Sequence, residues 1–103
     1  MAAYDFSAID SSFPEIIGQM KNIFTSHEFI LALAQQNQAE YIAALHHYAF
    51  EERTVAPFQA VHKGIVEQLK THTELVTLIN RDVPSRDIFG KSQTCGEWEK
   101  VVK

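Results

Sequence analysis

Five histidines in 103 residues are the first candidates for chemistry. A zinc site needs three or four His, Cys, Asp or Glu side chains converging, with imidazole nitrogens about 2.1 Å from the ion. His46 and His47 are adjacent in the chain, so on a helix their rings diverge by about 100° and are badly placed to share one ion. The chain holds no His-x-x-x-His, His-Glu-x-x-His or Glu-x-x-His pair. The best assembly it offers is His46 with Glu51 or Glu52 and a residue from another helix, and no metal is expected. His62 follows Phe58 by four residues and precedes Ile65 by three, which sets it inside an apolar helical stripe. A histidine there is expected to be a satisfied core side chain, bonded to a backbone carbonyl or to the hydroxyl of Tyr41 or Tyr48. The alternative, a general base at a pocket mouth, needs a nucleophile or paired acid nearby, and the sequence supplies none.

Cys95 lies between Thr94 and Gly96, with Glu97 and Glu99 nearer in sequence than Lys91. That environment does not favour a reactive thiolate. Gly64, Gly90 and Gly96 are isolated and form neither a P-loop nor a dinucleotide fingerprint. With no nucleophile, acid–base pair or cofactor loop, the chain reads as non-enzymatic and without a cofactor. A lone cysteine also suits a reducing compartment, so a cytoplasmic location is expected.

The elements that must position these side chains are read from apolar spacing. A composition of 46% hydrophobic and 21% charged residues belongs to one globular domain, taken as residues 1–103. Four tetrads, beginning at Ser12, Thr25, Asn37 and Thr71, each set a capping side chain three residues before a Glu, the signature of a helix start. After Ser12 the stripe is Phe13, Ile16, Ile17, Met20, Ile23 and Phe24; after Asn37 it is Tyr41, Ile42, Leu45, Tyr48 and Ala49. From Pro57 it is Phe58, Val61, Ile65 and Leu69. Leu75, Val76, Leu78 and Ile79 suggest a short fifth helix ending before Asn80. The expected fold class is all-α: a compact bundle of about five short helices, with an N-terminal extension over 1–11 and an irregular tail over 83–103. That tail is a loop with a final helical turn, or a short hairpin pairing Arg86 to Phe89 with Trp98 to Val102. In either form Trp98 should anchor it on the helices, with Ile88 and Phe89 alongside.

Two functions follow from that framework. After Thr25 the residues Phe29 to Ala34 are apolar on every side of a helix. Such a helix is central or half-covered by a partner. Together with Phe50, which lies opposite the stripe of its own helix, this points to an interface of Phe29, Ile30, Leu31 and Phe50. The leading expectation is therefore a small helical protein-interaction module, binding another protein or itself as a homo-oligomer. The alternative is a helix-turn-helix or winged-helix-like DNA-binding regulator, with the turn at Asn37. Its recognition helix would be Gln38 to Phe50, offering Gln38, His46 and His47, with Arg86 and Lys91 of the tail reaching phosphates. Charge argues against strong nucleic-acid binding: the whole chain carries −4, and residues 1–60 hold seven acids against two bases. A membrane is not expected, because the longest apolar run is six residues and about 20 are needed to span a bilayer.

Overall fold

The computed structural model describes residues 5–49 and 56–101. In chain order the elements are α1 (Ser7–Asp10), α2 (Phe13–Gln19), β1 (Ile23–Thr25), α3 (Ser26–Gln36), α4 (Gln38–Ala49), α5 (Pro57–Leu69), β2 (Val76–Arg86) and β3 (Ser92–Lys100). The strands form one antiparallel sheet in the order β1-β3-β2. The fold is thus mixed α and β, which overturns the all-α, helical-bundle expectation. The error lies in two places. The expected first helix stops at Gln19, Met20 turns to an extended ψ of 153°, and Ile23 and Phe24 enter a strand. The expected fifth helix over Leu75 to Ile79 begins the long strand β2, and the tail, expected as a loop or a short hairpin, is a hairpin whose register differs from the expected one: Arg86 pairs with Ser92, and Trp98 with Leu78.

Pairing explains why these segments are strands. Phe24 and Leu78 both lie opposite Trp98 on the central strand. Phe24, Val76 and Trp98 are buried there. Cross-strand burial of this kind outweighs local helix preference. The ladder between β2 and β3 is irregular between Leu78 and Asn80 and again between Asn80 and Val83. Each irregularity resets the alternation of inward and outward side chains, so no long period of two survives in the sequence.

The helical part packs only in part as its stripes require: Ile42 and Phe58, placed in the stripes of α4 and α5, are 60% and 41% exposed, while Ala44, outside the stripe of α4, is buried. Phe13, Ile16 and Ile17 of α2, Phe29, Ile30 and Leu33 of α3, Tyr41 and Ala44 of α4, and Val61, Ile65 and Leu69 of α5 are buried in one core. Phe13 meets Phe29 edge to face at 4.9 Å. Phe6 and Ile9 join them, so part of the segment read as an extension is structural. His72 holds α1 in place through Nε2 at 2.8 Å from Asp10.

Of the four capping tetrads, Thr25–Glu28 closes reciprocally. Glu28 N–H donates to Thr25 Oγ1 at 3.2 Å and Thr25 N–H to Glu28 Oε1 at 2.9 Å. Ser12 instead donates its hydroxyl to Ile9 O, Thr71 donates to Gln68 O, and the amide of Asn37 donates to Ser12 Oγ. The capped start of α3 carries Ser26, whose buried Oγ accepts the Trp98 indole N–H at 2.9 Å. This bond ties the first turn of α3 to the central strand.

Candidate functional site

The hairpin of β2 and β3 stands beside α5, and the space between them is a trough floored by the start of α3. Three hollows, of about 480, 290 and 460 Å³, form it. The first and second share Ser26, Val66 and Gly96, and the second and third share His27 and His62. One wall is the outer face of α5, where Phe58, Gln59, Lys63 and Glu67 are exposed while Val61, Ile65 and Leu69 face the core. The opposite wall brings Leu78 and Arg81 from β2 and Cys95 and Gly96 from β3. Gly96 lies close under this wall: an added Cβ would lie 2.9 Å from Leu78 Cδ1, 3.3 Å from Ser26 Oγ and 3.4 Å from the Trp98 indole nitrogen, so the Leu78 side chain would have to move aside.

Cations are distributed along this trough. Lys70 and Arg81 line one end, Lys63 the middle, and Lys91 the far end. Two acids interrupt them. Glu67 pairs with Lys70 at 3.4 Å, and Asp87 is drawn into its own turn. Burial opposes ionisation of Asp87, but the backbone N–H groups of Lys91 and Phe89 and the neighbouring His27 and Lys91 hold its carboxyl below the usual carboxylate range.

His62 is bonded as expected, although it is half-buried at the trough rather than enclosed in the core. Its Nε2 lies 2.6 Å from the Tyr41 hydroxyl, with the two rings stacked at 5.9 Å. Burial pushes the Tyr41 hydroxyl up to about 12. Burial, and secondarily the nearby His27, push the His62 imidazole below its ordinary range. The pair is therefore neutral at physiological pH, a structural link between α4 and α5. His27 Nδ1 is buried without a hydrogen-bond partner among the described residues. No group of three or more His, Cys, Asp or Glu among the described residues is arranged to hold a metal ion.

The candidate residues fall into separate places. Gln38, His46 and His47 sit on α4 and line none of the three hollows. Arg86 and Lys91 flank the hairpin tip, where Arg86 Nη1 donates to Gly90 O at 2.9 Å. Among the interface candidates, Phe29 and Ile30 are buried in the core, closed to any partner, while Leu31 is 41% exposed. Phe50, like Glu51 and Glu52, lies outside the described residues. The sequence reading passed over the exposed face of α5. Its signal was present: Lys63 and Lys70 are seven residues apart, two turns on one face, with Gln59 a turn before them.

Comparison with protein-family models, curated proteins and solved structures finds no match. Among the described residues no helix is long and apolar enough to cross a membrane.

Proposed function

We propose that this chain is a winged-helix-like nucleic-acid-binding module in which α5 enters the major groove and the β2–β3 hairpin is the wing. The observation that carries the reading is the position of the hairpin. With the sheet ordered β1-β3-β2, the hairpin walls the exposed face of α5. α5 with its C-cap Lys70, β2 and the hairpin tip carry Lys63, Lys70, Arg81, Arg86 and Lys91, five of the nine Lys and Arg in the chain, while Lys100 of β3 donates to Gly18 O and Met20 O. An acidic protein that gathers its cations in this way favours one docking face over general adhesion. The base-reading role passes from α4 to α5, whose Gln59 and Lys63 are the side chains best placed to reach base edges. A reducing, cytoplasmic setting, which a single cysteine favours, suits that role.

The test is selection of bound duplexes from a random pool. A defined sequence is expected to be enriched, while random duplex binds weakly at physiological salt. With about five cations available, log affinity against log salt should be no steeper than about −5, at roughly −0.9 for each phosphate contact. Lys63→Ala should weaken binding and flatten that slope by about one. Failure to enrich any sequence would remove the reading.

Self-association through α3 has one specific support: Leu31 and Ile42, exposed by 41% and 60%, are apolar and lie outside the trough. Light scattering decides it. A dimer that becomes a folded monomer on Leu31→Glu supports this reading, and a wild type monomeric at high concentration removes it.

A further inference from the structure

Among the described residues Phe89 is the most exposed aromatic of the large hydrophobic side chains, at 56%, and it stands at the hairpin tip. Its neighbour Ile88 packs against the core, so the turn separates two adjacent large side chains and sends the aromatic one outward. The turn that does this is densely bonded. Asp87 Oδ1 accepts the N–H of Phe89 at 2.9 Å and of Lys91 at 3.0 Å. The Asp87 N–H donates to Lys91 O at 2.9 Å, and the Gly90 N–H donates to Asp87 O at 3.0 Å. Gly90 takes a φ of +83°, which a side chain would disfavour. Phe58, in the first turn of α5 and 41% exposed, meets Phe89 edge to face at 4.8 Å and fixes the direction of its ring.

A half-exposed phenyl ring contributes little to the core, yet here the backbone beneath it is held by four hydrogen bonds. Presentation of that ring is thus already paid for in conformational freedom, the condition that makes a contact residue effective. Its surroundings indicate the partner. Arg86 and Lys91 stand on either side of the turn, Gln59 and Gln93 lie beside the aromatic pair, and Asp87, the one carboxylate among the described residues that line this hollow, is occupied within the turn. An apolar wedge between cations and amide side chains matches a stacked, anionic polymer better than an apolar pocket of a protein.

Building on the nucleic-acid reading above, we infer that Phe89, backed by Phe58, is a wedge that enters the base stack of a bound duplex at a single step. Side chains of this type unstack the step and bend the helix axis. The test uses the full chain and the enriched duplex, with a fluorescent adenine analogue, quenched by stacking, moved through successive positions. The wild type should brighten the analogue several-fold at one step only. Phe89→Ala should abolish that signal and weaken binding on the order of ten- to a hundredfold, the range for loss of one aromatic–base stack. Unchanged Trp98 emission would certify that the variant is folded. Phe89→Leu, which keeps an apolar wedge, should retain most of the signal. An unperturbed stack at every position, or a Phe89→Ala chain that binds as the wild type does, overturns the wedge and leaves the DNA reading standing. Absence of any enriched duplex overturns both, and is the result expected if the tip docks into a protein.

Discussion

Trp98→Ala is expected to cost about 3 to 5 kcal/mol, the range for removing a fully enclosed large aromatic side chain. The residue is 2% exposed, lies on the central strand, and has Phe24 on one neighbouring strand and Leu78 on the other. Alanine would open a cavity beneath both strands at once. Set against an ordinary domain stability of about 5 to 15 kcal/mol, that loss leaves the fold marginal. Trp98→Phe should cost less, about 1 to 3 kcal/mol. It keeps a ring in place but removes the N–H that Ser26 Oγ accepts, in a buried site where the remaining contact of that hydroxyl, to Gly96 O, is long at 3.4 Å. Denaturant unfolding followed by circular dichroism gives both values. An alanine variant within about 1 kcal/mol of the wild type would contradict the central position of β3.

Gly64→Ala should destabilise the domain by about 2 kcal/mol, the reverse of the usual effect. Within a helix this change ordinarily adds up to about 1 kcal/mol, because alanine restricts the unfolded backbone and favours the helical one. On α5, however, the Phe6 ring lies directly over the glycine, and an added Cβ would overlap its Cζ, Cε1 and Cε2 atoms. Either the ring swings out and forfeits its burial or the N-terminal segment shifts, and overpacking of this kind costs about 1 to 3 kcal/mol. The sign should invert in a Phe6→Ala background, where the methyl group meets no ring. A double-mutant cycle of thermal unfolding tests this. Stabilisation by Gly64→Ala in the wild type would show that Phe6 does not hold its place on α5.

Much of the helical framework can be read from spacing alone. Val61, Ile65 and Leu69 repeat every four residues and are buried as that interval requires, and Phe29 and Leu33 do the same on α3. The anchoring role of Trp98 is legible too, because a lone indole in a tail with few other apolar anchors has little reason to be solvated, although Phe89, expected alongside it, is 56% exposed. Of the sheet only a tail hairpin is legible, without its register or length, since β1 depends on a partner far away in sequence and the ladder of β2 is irregular. Ile23 and Phe24 continue the helical stripe that precedes them, and only Trp98, more than seventy residues later, makes them strand. The capping tetrads mislead for a related reason. Ser12 and Thr71 have nearby carbonyls to bond, and local spacing does not reveal which partner a hydroxyl chooses. At the candidate site, Arg86 and Lys91 were visible as cations of the tail. The choice of α5 over α4 required knowing which helix the hairpin stands beside.

The two irregularities in β2 have a consequence for the chain in a crowded solution. β2 is an edge strand, and a straight edge offers a row of free amides and carbonyls to any extended segment that arrives. Between Leu78 and Val83 this ladder breaks its register twice. Charged Arg81 and Asp82 fall in the broken stretch, and Pro84, which has no N–H to donate, follows it. An incoming strand would find matching partners for a few residues at most before losing step. The kinks that hide β2 from a pattern search also deny it to a second sheet, so the hairpin can stay long and exposed without nucleating fibrils.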